Sequence, residues 1–372
     1  MVETKPFTSL KISFIAAFFT AVFFVFLFVY LGVNLRQYIY DDSKEIAKEI
    51  SRKAAIETEQ YFSSALEIAL SMGQRAILIR DLGGKREHIR EILKYELQKN
   101  PYLLGTWTLW EPNAFDGKDY LFTSDSLYNS QGTFGNAYFR YNNRVYTEIM
   151  KVEDYLGHYY KSVKDQHKEK IVEPYKWSYS GHSQSFFGTT ISVPLIKNET
   201  FLGVIGIDID LENLCDRLNK VRLYKSGHLS LIASNGLIVS HADTFYVTKN
   251  FFQIIHDTDS ATYNSIINGE ELIAETTSEF TGKKVFRFFY PFSIGAGKPW
   301  TMMVEIPIAD ATHRSNQLII ISFIILLVGL GLIVFLVFNI IDRRRYERTI
   351  IVAMNEIEKR SELAAQNEQN YR

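Results

Sequence analysis

The sequence predicts an α+β fold, in which two mixed α/β modules with antiparallel sheets are attached to a long N-terminal helix and flanked by two transmembrane helices. Three observations lead to this prediction. Uncharged apolar segments occur near both ends of the chain, helical periodicity follows the first of them, and short strand-like runs separated by turn formers fill the region between. A length of 372 residues is enough for two compact domains.

Two segments have the length and composition of membrane-spanning helices. Residues 13–35 contain no charged side chain, and residues 315–341 contain none either. Each is longer than the roughly 20 apolar residues that cross a bilayer as a helix. The first is too long for the core of a signal peptide, and no small-residue cleavage site follows it. Both are therefore predicted to be permanent spans.

Basic residues beside the spans predict their orientation. Three arginines at 343–345 follow the second span directly, and Lys5 and Lys11 precede the first. Because positive residues mark the cytoplasmic side, residues 1–12 and 342–372 are predicted to be cytoplasmic and the segment between the spans to lie outside. This layout occurs in receptors and in some surface-anchored enzymes.

Residues 36–101 are predicted to be helical. Apolar residues such as Ile46 and Ile50 recur at helical spacing, and no glycine or proline interrupts the pattern before Gly73. One long stalk helix is therefore expected after the first span. A second helix follows and ends near Pro101.

Two blocks of strand-like runs follow the helices, at residues 102–222 and 223–312. In the first block these runs are LLGTWTLW, DYLFT, AYFRYNNRVYTEI, QSFFGTTISVPLI and FLGVIGIDIDL, and a helical run, ENLCDRLNKV, ends the block. In the second block, Asn235-Gly236 lies between apolar runs and predicts a β-hairpin. The first block is expected to be the membrane-distal module and the second the membrane-proximal one.

The segment after the second span is predicted to be a helix with a coiled-coil seam. Ile350, Met354 and Ile357 form a short apolar stripe at heptad-like spacing. A homodimer is therefore expected, paired through this helix and through the stalk helix.

The remaining composition excludes several functions. Lys and Arg number 41 against 42 Asp and Glu, so no basic surface for nucleic acid is predicted. The single Cys215 rules out an internal disulfide and a Cys-based zinc site. The histidines lack metal-ligand spacing, and the sequence has no P-loop, dinucleotide fingerprint or nucleophile elbow. No metal, cofactor or catalytic residue is predicted, and the chain is expected not to be an enzyme.

Six motifs occur in a fixed order between the spans. They are WEPNAFDGKD (110–119), GHYYKSVK (157–164), IVEPYKWSYSG (171–181), TTISVPLI (189–196), FLGVIGIDIDL (201–211) and GHLSLIASNGLIVSHAD (227–243). Each motif is weak alone. Together, in this order, they resemble the double Cache (dCache) extracytoplasmic sensor domain of bacterial transmembrane receptors, known from chemotaxis receptors and sensor kinases.

The resemblance implies the architecture and the general role of the chain. Both modules would be PAS-like, and the membrane-distal module would bind a small extracytoplasmic ligand. The two spans would carry the resulting change to a cytoplasmic output module or partner protein. The resemblance also implies a location in the bacterial inner (plasma) membrane.

The resemblance also predicts the ligand-binding residues. Family members that bind α-amino acids pair an arginine with a Trp-Tyr dipeptide, a later tyrosine and an aspartate. In this chain Tyr159-Tyr160 matches the dipeptide, Tyr175 the later tyrosine and Asp208 the aspartate. Gly157 stands where the arginine would be.

The missing arginine changes the predicted ligand. An arginine binds a carboxylate through two contacts, whereas aromatic side chains and an aspartate hold a cation. An amine or other cation is therefore favoured over a free α-amino acid, unless Arg140, Arg144 or His158 substitutes for the arginine. The predicted ligand-binding residues are Tyr159, Tyr160, Tyr175, Trp177, Asp208, Arg140 and Trp110.

The stretch WEPNAFDGKDY, residues 110–120, has a composition that fits a catalytic acid cluster, a calcium loop or the wall of a binding module. It lacks the spaced oxygen ligands of a calcium loop, and the sequence supplies no partner for a catalytic carboxylate. Asn113 and Asp116 can accept hydrogen bonds from backbone amides in a tight turn. The loop is therefore predicted to be structural.

Two functions fit the whole sequence. One is a two-span receptor that senses a small ligand outside the cytoplasm. The other is a membrane-anchored ectoenzyme or ligand-binding protein without signalling output. The apolar stripe beyond the second span favours the receptor, because an anchored enzyme has no use for it.

Overall fold

The computed structural model describes residues 6–221, 223–255, 260–295 and 297–370. The chain divides into two compact units, of which one comprises Met1–Asp42 and Thr312–Arg372 and the other comprises Ser43–Ala311. We refer to Ser43–Ala311 as the sensor unit.

The sensor unit contains both helices and strands, as the predicted α+β class requires. The described helices are α1 (Pro6–Asp81), α2 (Arg86–Lys99), α3 (His158–Gln166), α4 (Glu212–Lys220), α5 (Phe251–Ile254), α6 (Ser260–Asn268), α7 (Ile308–Ala311) and α8 (His313–Asn370). The described strands are β1 (Gly105–Trp110), β2 (Gly135–Tyr141), β3 (Arg144–Ile149), β4 (Lys170–Ile171), β5 (Tyr175–Trp177), β6 (Phe186–Lys197), β7 (Thr200–Asp210), β8 (His228–Ile232), β9 (Ile238–Ser240), β10 (Leu272–Thr277), β11 (Lys284–Phe292) and β12 (Trp300–Pro307).

Helices α1 and α8 contain the two predicted spans. Both are long and apolar enough to cross a membrane. Side chains of the two helices meet where the rings of Phe28 and Phe323 lie 5.8 Å apart. The first span and the predicted stalk are one continuous helix, Pro6–Asp81. Of the predicted cytoplasmic ends, residues 1–5 and 371–372 lie outside the described residues.

The first sheet is antiparallel and has the order β3-β2-β1-β7-β6-β4, with β5 also paired to β6. Successive side chains of β1 point to opposite faces of the sheet. Thr106 donates a hydrogen bond to the Leu93 carbonyl of α2, whereas Trp107 packs with Tyr160 and Val163 of α3. Helices α2 and α3 therefore cover opposite faces, and both faces of β1 are buried.

The second sheet is also antiparallel, with the order β10-β11-β12-β8-β9. The predicted hairpin at Asn235-Gly236 is confirmed, because it joins β8 to β9. Gly236 has φ of +83°, a conformation that glycine adopts without strain. The core of this module contains Ile232, Phe289 and Met303. The α+β class with two antiparallel sheets is thereby confirmed.

The part of α1 within the sensor unit contacts both modules. Phe62 packs its ring against Trp300 of the second sheet, with centroids 5.2 Å apart. About three turns further on, a methyl group on Gly73 would lie 3.3 Å from Ile205 of the first sheet. Arg75 pairs with Glu96 of α2 at 2.6 Å. The long helix is therefore a common support for the two modules.

One local prediction is corrected by the structure, which also contains a helix that was not predicted. The run DYLFT does not form a strand, because Asp119 and Asn113 exchange two backbone-to-side-chain hydrogen bonds that fold the loop back. Asp119–Leu121 instead forms a short 3₁₀ turn. The run GHYYKSVK, for which periodicity predicted no element, forms α3, where burial of Tyr160 and Val163 compensates for the modest helix propensity of tyrosine and valine.

Candidate ligand-binding site

A cavity of about 260 Å³ opens on the first module. Strands β1, β2, β3, β5, β6 and β7 and helix α3 contribute residues to its lining. Its aromatic lining consists of Trp107, Tyr159, Tyr175, Trp177 and Tyr179, and its acidic lining consists of Glu148, Asp154 and Asp208. This volume lies near the lower end of the range for small-molecule sites, so the ligand must be small.

Asp208 is the most buried carboxylate of this cavity, at 7% exposure. It lies on β7 opposite Thr190 of β6. Its Oδ1 accepts a hydrogen bond from Thr190 Oγ1 at 2.8 Å, and its Oδ2 accepts one from Tyr179 Oη at 2.7 Å. Because Thr190 gives its hydrogen to Asp208, Tyr175 Oη, at 2.8 Å, must be the donor to Thr190.

The charge of Asp208 lacks a cationic partner in the part of the chain that the structure describes. Its hydrogen-bond donors there are neutral hydroxyls and the Trp107 indole. Burial raises the pKa of Asp208, and these hydrogen bonds oppose the rise. A buried carboxylate without a counter-charge is costly. A cationic ligand would supply the counter-charge that Asp208 lacks.

Aromatic rings form the walls around this carboxylate. Tyr159 meets Trp107 edge to face at 5.2 Å, and Tyr175 lies 4.8 Å from Trp177. A methyl group on Gly206 would lie 2.4 Å from the Trp107 ring, so the glycine is required for the ring to occupy its position. Ring faces attract cations through their quadrupole, so the walls and the carboxylate favour the same class of ligand.

Acidic groups also predominate at the exposed edge of the cavity. Asp154 Oδ1 accepts a hydrogen bond from Tyr159 Oη at 2.8 Å, and Glu148 Oε1 accepts one from the Ser180 amide at 2.9 Å. Lys151 is the cationic residue of the lining. Three carboxylates against one ammonium make the cavity electronegative.

Four of the seven predicted ligand-binding residues line this cavity. They are Tyr159, Tyr175, Trp177 and Asp208. The sequence reasoning missed Trp107, Thr190 and Tyr179. Thr190 and Tyr179 could have been found only from the register of β6 on β7 and from the position of the segment after β5.

The other three predicted residues do not line this cavity. Tyr160 is fully buried and donates to Glu111 at 2.5 Å, because consecutive helical residues point about 100° apart and Tyr159 already faces the cavity. Arg140 donates to the Leu97 carbonyl of α2 at 2.5 Å. Trp110 packs with Phe115 and Phe134. It is at the opposite end of β1 from Gly105, which pairs with Asp208. Arg144 and His158, the other suggested substitutes for the missing arginine, do not line the described cavity either.

The loop WEPNAFDGKDY is held by an ion-pair cluster away from the cavity. Arg86 of α2 contacts Asp116 through two hydrogen bonds, at 2.7 and 3.0 Å, and Asp119 through one at 2.5 Å. Asp116 accepts the Lys118 amide, and Asn113 accepts the Asp119 amide, as predicted. These contacts give Asp116 and Asp119 of the loop a structural role.

The family model for the first PDC sensor domain of methyl-accepting chemotaxis protein-like receptors matches residues 89–216. The methyl-accepting chemotaxis protein TlpQ of Pseudomonas aeruginosa is 24% identical over 281 residues, which is 68% of this chain. The chain spans 38% of the length of that relative.

Solved sensor domains share the fold. The periplasmic sensory domain of the Campylobacter jejuni chemoreceptor Tlp1 has a TM-score of 0.63 and 18% identity, with 73% of this chain and 98% of that one covered. The ligand-binding domain of the Pseudomonas aeruginosa amino acid chemoreceptor PctC, in complex with GABA, has a TM-score of 0.51 and 14% identity, with 70% and 98% covered.

The matched domains are described as sensor or ligand-binding domains of receptors rather than as enzymes. The matched residues include β1, β7 and α3, which supply Trp107, Asp208 and Tyr159 to the cavity. Residues 89–216 are therefore similar to the first PDC sensor domain of chemoreceptors, and the sensor unit shares the fold of solved receptor sensor domains.

Proposed function

We propose that this chain is a receptor subunit of the bacterial inner membrane that binds a small organic cation, most simply an amine, in the cavity of its first module. The observation that carries the proposal is the buried carboxylate of Asp208, whose hydrogen-bond donors are uncharged and whose surroundings are aromatic. An ammonium group would donate to this carboxylate and lie against the rings.

The cavity lacks the features that an α-amino acid would need. The carboxylate of an α-amino acid would require a positively charged side chain, and Arg140 donates to the Leu97 carbonyl and does not line the cavity. Lys151 is exposed at the edge of the cavity. An amine without a carboxylate therefore fits these residues better.

A thermal-shift panel tests the class of ligand. Butylamine, butanol and butyrate have closely similar size and differ in charge. A ligand that binds the native state raises the melting temperature by an amount that grows with the logarithm of its concentration above the dissociation constant, so butylamine is expected to raise that of the sensor unit at millimolar concentration. Stabilisation by butyrate, with none by butylamine, would contradict the proposal.

Amine affinity is expected to weaken as the pH falls. The folded, unliganded domain has a raised pKa at Asp208 because of burial, so the carboxylate becomes protonated at a higher pH than in an unfolded chain. The ammonium needs the ionised form, so its dissociation constant should rise as the pH falls through this raised pKa, and binding in that window should release a proton. Titration calorimetry in two buffers of different ionisation enthalpy measures both effects. A dissociation constant independent of pH in that window would exclude Asp208 as the cation's partner.

We also propose that both termini are cytoplasmic and that the chain signals as a homodimer. The arginines at 343–345 support the orientation. Ile350, Met354 and Ile357 are exposed on α8. An exposed apolar stripe of this kind can pack against a second helix in a coiled coil. A ligand shifts such a receptor only by binding two conformations with different affinity.

Disulfide cross-linking tests this signalling step. In a Cys215→Ser background, Met354→Cys is expected to cross-link faster than Val352→Cys, because position 352 lies off the stripe. An amine that binds the sensor unit should change the rate at position 354. Rates in membranes with and without the amine provide the measurement. Equal rates would favour a ligand-binding protein without signalling output.

A further inference from the structure

Gly157 lies between the 3₁₀ turn Val152–Leu156 and helix α3, and its backbone has φ of −58° and ψ of 139°. Residues other than glycine adopt this conformation without strain, so backbone freedom does not explain the glycine. A methyl group on Gly157 would lie 2.7 Å from the Tyr159 ring. This distance is well below an ordinary contact between carbon atoms. The Tyr159 ring therefore occupies the space that a side chain at position 157 would need.

The Tyr159 side chain forms part of the wall of the cavity in the first module. Its ring meets Trp107 edge to face at 5.2 Å, and its hydroxyl donates to Asp154 Oδ1 at 2.8 Å. Burial raises the pKa of Tyr159, so the hydroxyl keeps its proton and remains a donor. Both the ring and the hydroxyl therefore have fixed partners at the cavity.

The two segments that meet at this glycine are anchored to the end of β1. In the 3₁₀ turn, Tyr155 donates to the Trp110 carbonyl oxygen. In α3, Tyr160 donates to Glu111 Oε1 at 2.5 Å, and Lys164, about one helical turn further on, donates to the same oxygen at 2.7 Å. Neither segment can shift without breaking these bonds. An added side chain would therefore displace the tyrosine ring that fills the space.

We propose that Gly157 is the positioning residue for Tyr159 and thereby a specificity-determining residue of the cavity. Because position 157 has no side chain, the Tyr159 ring stays among the aromatic walls that favour a cation. A side chain there would remove this wall and release Asp154 Oδ1 from its hydrogen bond. The inference rests on the proposed cation site, but the position of the ring can be tested without a ligand.

Fluorine NMR on the full chain in detergent micelles tests the position of the ring, with 3-fluorotyrosine incorporated at position 159 alone. In Gly157→Ala the resonance is expected to move toward that of free 3-fluorotyrosine, because the ring leaves its packed position. Leu156→Ala is the matched control, since Leu156 is the neighbouring residue and is 78% exposed, and it should leave the resonance unchanged. An unmoved resonance in Gly157→Ala would overturn the inference, whether or not an amine binds.

Titration calorimetry with butylamine tests the consequence for binding. Gly157→Ala is expected to weaken butylamine binding about tenfold, whereas Leu156→Ala should leave it unchanged. In a Tyr159→Ala background, Gly157→Ala should change neither the affinity nor the melting temperature further, because no ring remains to be displaced. Unchanged affinity in Gly157→Ala, or an equal loss with and without the ring, would overturn the inference. Failure of the wild type to bind butylamine would instead contradict the proposed cation site, and the fluorine resonance would still decide what positions Tyr159.

Discussion

Asp208→Asn should raise the melting temperature of the unliganded sensor unit at neutral pH and should weaken amine binding by about thirtyfold or more. Loss of one partner of a buried charge pair costs about 2–5 kcal/mol in binding, which corresponds to about thirtyfold to several thousandfold. The two effects have opposite signs because the same carboxylate is unfavourable without a ligand and favourable with one.

The sign of the stability change follows from linkage. Burial raises the pKa of Asp208 in the folded state above its unfolded value. The protonated carboxyl is therefore the form that the fold favours, and the folded state loses stability as the pH rises through the folded pKa. Asparagine resembles the protonated acid at every pH, so the variant avoids this loss at pH 7.

The neighbouring hydroxyls can accommodate the amide of the variant. The Asp208 carboxylate presents two acceptor oxygens, whereas an amide at this position presents one oxygen and one NH₂ group. The oxygen can accept Tyr179 Oη, and the NH₂ group can donate to Thr190 Oγ1. The Thr190 hydrogen would then turn to Tyr175 Oη, which lies 2.8 Å away.

Asp210→Asn is the matched control for this experiment. Asp210 lies two residues further along β7, is half-buried, and accepts the Glu212 amide at the start of α4 rather than lining the cavity. Its replacement should leave amine affinity unchanged. Differential scanning fluorimetry and titration calorimetry give the two readouts. A variant Asp208→Asn that binds butylamine as tightly as wild type would refute the cation site.

The sequence predicted those site residues that follow from strand and motif positions. Tyr175 and Trp177 are two residues apart on β5, and strand alternation places both on one face. Asp208 lies on the central strand β7, where the motif FLGVIGIDIDL predicted a strand. Residues within such a motif keep their relative orientation, so their common location could be expected before the structure was known.

The remaining site residues depend on pairing between distant segments. Trp107 faces the cavity because β1 pairs with β7 in a register that sets Gly105 opposite Asp208. Arg140 was a predicted ligand-binding residue, but the proximity of the α2 carboxyl end determines its hydrogen-bond partner. Neither register nor helix docking is encoded in local periodicity. For the same reason, no local pattern indicated that Arg86 would meet residues 116 and 119.

Arg86→Met is expected to destabilise the sensor unit by about 3–5 kcal/mol, the usual cost of removing one member of a buried ion pair. Arg86 and Asp119 have side-chain exposures of 2% and 7%, so water cannot replace the lost contacts. The guanidinium also donates to the Gly132 carbonyl at 3.0 Å and stacks over Phe122, with 4.2 Å to the ring centroid. It therefore joins α2 to both ends of the loop that follows β1.

Urea unfolding followed by circular dichroism measures this change, with Arg90→Met as the matched control. Arg90 is one helical turn away and pairs with Glu87, which is 56% exposed. The Arg90 side chain is 11% exposed and also donates to Tyr128 Oη at 3.1 Å, so its loss should cost stability too, but less than that of Arg86, because its partner Glu87 stays solvated. Adding Asp116→Asn and Asp119→Asn to Arg86→Met should recover part of the stability, because no unpaired buried charge then remains. Equal destabilisation by the two arginine variants would show that the loop does not depend on this cluster.

Amine binding by folded Arg86→Met at low temperature should match wild type, since none of the three charged residues lines the cavity.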